Sequence, residues 1–256
     1  MTKLRTDIRK GARVAGFLAS TSAMLPSYLG ARALAPEADR DAVRDRWTRR
    51  WCDSLLRIFG IRLSVLGAAD HDRRRGRLVV ANHRGVIDVA ILLRSFGGFM
   101  VSRADLARWP LVGAAARATG TLFVDRSDSM SGAQIIRAIR DKLTTGHTVT
   151  IFPEGTTFAG DEVRPFHAGS FLAAVQKDVD VVPVGIAYQS GSHAAFVDET
   201  FPQHLAKMAA AEPSRVVMAV GAPIPARGTR KSAHLAEQAH AAVVKLVAEA
   251  RAAVDR

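Results

Sequence analysis

Cysteine occurs once in this 256-residue chain, at Cys52. That excludes an intrachain disulfide and any CxxC metal site, and a reduced thiol buried on a helix is the simplest reading. Three tryptophans and two tyrosines are few for a base-stacking nucleic-acid module, and no reader motif of that kind is present. There is no GxSxG elbow for a serine hydrolase, no P-loop and no GxGxxG fingerprint. None of the eight histidines stands in a ligand spacing such as HExxH, so no metal is expected. Charged residues at 23% and hydrophobic residues at 48% exclude global disorder and supply a core. The length suits one α/β domain with an appendage, or two small domains.

Acidic residues are the scarcer charge, leaving a net +12. Residues 1–50 hold eleven Lys/Arg against five Asp/Glu, about half of the excess. Such concentration fits a surface-binding appendage better than a uniformly basic protein. A clean hydrophobic run is missing too. Val14 to Ala31 is uncharged and reaches the lower length limit for a membrane span, but Ser20, Thr21, Ser22, Pro26 and Ser27 interrupt it. We read residues 1–59 as a membrane-associating helical segment, a peripheral or monotopic anchor at the cytoplasmic face of the inner membrane. Lys3, Arg5, Arg9, Lys10 and Arg13 would then lie on anionic headgroups, each contributing about 1 kcal/mol. A helical hairpin packed on the main domain, and a signal peptide ending near Ala33-Leu34-Ala35, are the alternatives.

Along the rest of the chain short apolar runs alternate with helical patterns. Residues 37–59 form an amphipathic helix with Val43, Trp47, Trp51, Leu55 and Phe59 on one stripe, which we assign to the core with no ligand role. Strands are predicted at 61–67, 78–81, 121–124, 148–152, 181–187 and 215–220. Helices are predicted at 86–96, 104–118, 129–144, 167–177 and 233–254, with a charged, solvated loop at 71–77. This alternation gives an α/β fold with a largely parallel central sheet and helices on both faces. No internal repeat or low-complexity tract interrupts it.

Four stations carry chemistry. In Asn82-His83-Arg84-Gly85-Val86-Ile87-Asp88, positions five apart diverge by about 140° on a regular helix. His83 and Asp88 can therefore meet only if His83 lies on a strand-to-helix turn, which Gly85 permits. Asp88 could then fix the imidazole tautomer, leaving the other ring nitrogen to take a proton from a hydroxyl. On spacing alone, a His and an Asp near a turn are more often a purely structural pair. The second station, Gly120 to Arg126, ends a strand with Asp125 and Arg126; arginine there suits a phosphate, or an exposed ion pair with Asp125. The third, Phe152-Pro153-Glu154-Gly155-Thr156-Thr157, breaks a strand and offers a carboxylate and two hydroxyls to a polyol or phosphate. The fourth, Val182-Pro183-Val184, suits either the lining of an apolar channel or plain core, its proline suggesting an edge or bulge.

In order and spacing these stations resemble the glycerolipid acyltransferase family, the 1-acylglycerol-3-phosphate acyltransferases above all, with its N-H-x4-D, G-x-x-F-x-x-R, P-E-G-T and V-P-V blocks. The resemblance spans about residues 78–187 and makes 60–256 the acyltransferase domain. It implies that His83 is the general base and Asp88 its partner. It also implies that Arg126 binds an acceptor phosphate, while Glu154, Gly155 and Thr156 shape the acceptor site. The acyl donor would be a thioester of coenzyme A or acyl carrier protein, with no cofactor, and the acceptor a membrane lysolipid, with no nucleic acid involved. Lysophosphatidate is the first acceptor to expect. Thr157, however, stands where phosphatidate-forming enzymes carry arginine, a bidentate contact not easily replaced; Arg164 is the candidate substitute. The Glu-Gly-Thr-Thr sequence is closer to relatives that acylate other lysolipids, including lyso-ornithine lipid. A non-catalytic lipid-binding protein is the alternative of a different class.

Overall fold

The computed structural model describes residues 2–68, 75–125 and 128–256. Its centre is a sheet in the order β1-β7-β6-β2-β5-β3-β4, with β8 added to β6. The strands are β1 (Ile61–Leu66), β2 (Gly76–Ala81), β3 (Phe99–Arg103), β4 (Leu122–Val124), β5 (Thr148–Ile151), β6 (Val179–Tyr188), β7 (Ser214–Val220) and β8 (Ile224–Pro225). All pairings are parallel except those of β6 with β7 and β8. The largely parallel sheet expected from the sequence is therefore present.

Helices cover both faces, which is why β2 is buried at every residue and its residues 78–81 read as a continuous apolar run. The two-residue period sends Val79 and Ala81 toward one core, with α3 (Val86–Phe96) and α2 (Arg40–Ile58), and Leu78 and Val80 toward another, with α5 (Ser129–Thr144) and α7 (Ser232–Val254). α1 (Thr2–Leu34) is one helix that forms a hairpin with α2 and packs on α4 (Val112–Ala118) and α6 (Phe201–Ala210). Phe17 of α1 and Cys52, Leu55 and Leu56 of α2 share the core formed by β2, β6 and β7. Among the described residues no helix is long and apolar enough to cross a membrane. Arg9 and Arg13 of the basic cluster are turned inward. Arg9 reaches the Ala210 carbonyl and Glu212, and Arg13 reaches the Met208 and Ala211 carbonyls, so both occupy acceptors left free at the end of α6.

Several elements differ from expectation. Residues 167–177 hold only a 3-10 turn, Ala168–Phe171, followed by tight turns with Gln176 at φ 58; their apolar side chains reach the core without helical regularity. The helix expected at 104–118 divides into a 3-10 turn, Ala104–Arg108, and α4, because Pro110 forces the preceding residue out of helical geometry and Leu111 sits at φ 63. β3 and α6 were not foreseen. Pro183 lies in a central strand rather than at an edge: its carbonyl accepts from Gly221 N–H on the side away from β2, so the donor that proline lacks is not one β2 needs. Val182 and Val184 are core. Of the loop expected at 71–77, Gly76 and Arg77 belong to β2, and 71–74 lie outside the described residues.

Candidate active site

β2 ends at Ala81, and the chain turns at the carboxyl edge of the sheet, where open α/β folds form their crevice. Asn82 fixes the start of that turn. Its side-chain amide is fully buried, donates to the Ile186 carbonyl at 2.9 Å and accepts from the Ile186 N–H at 2.8 Å. The next residue, His83, stacks on Phe152 with ring centroids 3.7 Å apart and planes within 8°. Gly85 caps α3 with extended backbone at φ −175, a conformation open to any residue. What requires glycine is the Ala194 carbonyl oxygen, which would lie 2.0 Å from a Cβ.

Asp88, in the first turn of α3, reaches back over this turn as an N-terminal helix acid does. Oδ2 accepts from the Arg84 N–H at 2.6 Å and the Gly85 N–H at 2.8 Å, and lies 2.9 Å from His83 Nδ1. Oδ1 accepts from the Tyr188 hydroxyl. Burial pushes the carboxyl pKa up, but donation from His83, Tyr188 and Gly85 outweighs it, and the net shift is below the ordinary value. Asp88 is thus a buried carboxylate held ionised. Burial and the Asp88 charge push the Tyr188 phenol well above its ordinary value, so it stays a donor.

A second network lies beneath the turn. Arg84 is 3% exposed and its guanidinium donates to the carbonyls of His83, Gly160 and Glu162 and to Glu154, 3.2 Å away. The Glu154 carboxylate also accepts from the backbone N–H groups of His83 and Arg164. In turn the His83 and Arg84 carbonyls accept from Phe158 N–H and Phe196 N–H, tying two loops to the turn.

His83 lies on the wall of a cavity of about 990 Å³. Val86, Val89, Ala90 and Leu93 carry the cavity along one face of α3 for about 10 Å at 1.5 Å per residue. Its other walls come from Met24, Leu25 and Tyr28 of α1, Trp47, Trp51 and Leu55 of α2, Ala115 and Ala116 of α4, and Ile135, Ile136 and Ile139 of α5. Trp47 and Trp51 thus both line this void, while Trp51 also packs against the core as its stripe predicted.

The residues singled out from the sequence divide in placement. His83, Gly155, Thr156 and Thr157 are on the cavity wall, with Gly155 at φ 84 and the Thr157 hydroxyl bonded to the Phe196 carbonyl. Glu154 is buried beneath the turn, as above. The Arg164 guanidinium pairs with Glu162 at 3.2 Å and stands 4.9 Å over the Phe158 ring. Arg126 lies outside the described residues. Sequence reasoning gave no role to Arg84, Phe152 or Tyr188. A signal existed for two of them: Arg84 is a charge within the motif, and Tyr188 closes the apolar run 181–187. Among the described residues no cluster of three His, Cys, Asp or Glu side chains could hold a metal.

Comparison with known proteins now bears on this geometry. The acyltransferase family profile matches residues 62–187. A lyso-ornithine lipid O-acyltransferase of Pseudomonas aeruginosa is 33% identical over 248 residues, covering 95% of this chain and 93% of that protein. A 1-acyl-sn-glycerol-3-phosphate acyltransferase of Neisseria meningitidis is 27% identical over 183 residues, covering 72% of this chain and 68% of that protein. The crystal structure of the 1-acyl-sn-glycerophosphate acyltransferase PlsC from Thermotoga maritima shares the fold, with a TM-score of 0.76 over 98% of each chain at 20% identity.

Proposed function

Because the chain belongs to the acyltransferase family, we propose that it moves a fatty acyl group from a thioester to the free hydroxyl of a lysolipid, with His83 as general base. The carrying observation is the His83–Asp88 pair, 2.9 Å apart, set on the wall of an apolar cavity large enough for an acyl chain. Asp88, held ionised, keeps the Nδ1 proton in place and leaves Nε2 to take the proton of the acceptor hydroxyl. The oxygen attacks the thioester carbonyl, the tetrahedral intermediate collapses, and the departing thiolate receives that proton from His83. Oxygen–carbon forms, carbon–sulfur breaks, and the base is restored. Coenzyme A and acyl carrier protein are both donors of the right chemistry.

For the acceptor, lyso-ornithine lipid fits best. The relative of that activity aligns over nearly the whole chain. Thr157 is bonded to Phe196 where a phosphate-binding arginine would stand, and Arg164 is engaged with Glu162 and Phe158. Lysophosphatidate is the second reading, supported by the Neisseria relative and the presence of Arg126 in the second motif. The N-terminal helix supplies the membrane contact: Leu4, Ile8, Leu18 and Leu29 are exposed, and their spacing puts them on one face of α1. Peripheral docking of that face on the anionic cytoplasmic leaflet agrees with its composition.

The deciding experiment is an acceptor screen with purified protein and a labelled acyl thioester, using lysophosphatidate, lysophosphatidylglycerol, lysophosphatidylcholine and lyso-ornithine lipid. His83→Ala is expected to lose transfer by about 10²- to 10⁴-fold with lipid binding retained. Undiminished transfer in that variant refutes the mechanism.

A further inference from the structure

Tyr188 stands outside the reaction as just described, yet it touches the residue that orients the base. The two oxygens of Asp88 are used unequally. Oδ2 takes three donors from the turn that carries His83, while Oδ1 takes the Tyr188 hydroxyl from a different element. An ionised carboxylate offers about four acceptor sites, so these four donors match its capacity. Asp88 is 0% exposed and Tyr188 6%. A phenol so buried requires a polar partner, and the partner here is the carboxylate that orients the base.

The geometry of the strand explains how a residue 100 positions away arrives there. Tyr188 ends β6 and shares its face with Val184 and Ile186, both in the core beneath α3. Asn82 bonds both backbone groups of Ile186, so the strand that presents Tyr188 is locked to the turn that presents His83. The three donors from the turn tie Asp88 of α3 only to its own strand-to-helix connection. The fourth fixes the carboxylate to the sheet.

We propose that Tyr188 is a positioning residue for acyl transfer, holding Oδ1 of Asp88 so that Oδ2 stays aimed at His83 Nδ1 and tempering the basicity of the carboxylate. This rests on His83 being the base. The charged and titratable groups facing Asp88 are His83 and Arg84 from the turn, Tyr188 from β6, and His204 from α6, itself 2.8 Å from Glu199. Of these, Tyr188 is bonded to the carboxylate without carrying the proton of the reaction, which makes it the one to vary without adding or removing a charge.

The test is Tyr188→Phe, assayed for transfer across pH and for thermal unfolding. One hydrogen bond to an ionised group corresponds to about a ten- to hundredfold change, so kcat is expected to fall within that range with KM for donor and acceptor unchanged. A carboxylate relieved of a donor is the stronger base and holds the protonated imidazole more firmly. The acid limb of the kcat/KM profile is therefore expected to move to higher pH. Incorporating fluorotyrosine, in a Tyr28→Phe background taken as its own reference, supplies a stronger donor in a nearly unchanged shape. It should move the limb the opposite way, and it serves if the phenylalanine variant does not fold. Opposed shifts support the proposal; a lower melting temperature with an unmoved profile, or an unmoved profile under fluorotyrosine, overturns it. His83→Ala measured alongside separates the two readings. If that variant stays active, the base assignment has failed; if it is inactive while the Tyr188 profiles are unmoved, only the present proposal has.

Discussion

Glu154 Oε2 lies 2.6 Å from the backbone nitrogen of His83 and 3.2 Å from the guanidinium of Arg84. The same carboxylate thus supports the residue that carries the base and neutralises the buried cation beside it. Glu154→Gln keeps the size and removes the charge, leaving Arg84 buried without a counter-ion. Breaking one partner of such a pair costs about 3–5 kcal/mol. Urea unfolding should show a loss of that order, and transfer should fall through kcat. A raised acceptor KM at unchanged stability would instead place Glu154 in contact with substrate.

Chain selectivity should respond to Ala116. It lines the cavity on α4, where Ala116→Phe would fill space that a long acyl chain needs. The ratio of kcat/KM for short over long acyl thioesters is expected to rise about tenfold, equal to 1.4 kcal/mol of discrimination. Competition assays with mixed thioesters read it directly, and an unchanged ratio would mean that the chain lies elsewhere.

The exposed face of α1 can be tested by the pair Leu18→Asp and Leu29→Asp. A leucine transferred from water contributes about 1.5–3 kcal/mol, so the double variant should bind anionic vesicles at least a hundredfold less well. Activity on vesicle-borne acceptor should fall with it, and activity on a short, soluble acceptor should not. Undiminished vesicle flotation would remove α1 as the docking face.

Cys52 offers a reporter of global opening. It is fully buried, and burial pushes its thiol up to about 12, against about 8.5 for a free thiol. The thiolate is the reactive form, so alkylation at pH 8 should require unfolding, and the labelled fraction should follow the urea transition. The sign in pH follows: this raised value favours the folded state below about 8.5, and that advantage is lost as pH rises toward the folded value. Rapid labelling of the folded protein would show an opening short of unfolding.

What could be read in advance depended on whether the information was local. The runs that became β2, β5 and β6 are apolar over lengths too short for a helix, and α5 and α7 keep their period over many turns. The His83–Asp88 contact was legible because five residues and a turn suffice to make it. Arg84–Glu154 joins residues 70 apart and Asp88–Tyr188 joins residues 100 apart; no spacing rule reaches them. Periodicity placed Trp47 and Trp51 on the inward face of α2, but it carries no information about whether that face meets side chains or a void. Gly85 was read for flexibility, whereas its real constraint is a carbonyl contributed by Ala194 from a distant loop.

Asn82 has a consequence of its own. By exchanging two hydrogen bonds with Ile186, its side chain behaves as one more rung of the β2–β6 ladder, so the start of the turn that carries the base is registered to the sheet. Residues 153–168 and 189–200 are tied to the same turn through Glu154, Phe158 and Phe196, so sheet, turn and loops hold the base as one hydrogen-bonded unit. The enzyme's loss of activity on heating should then coincide with melting of the sheet, and thermal inactivation and cooperative unfolding become one event.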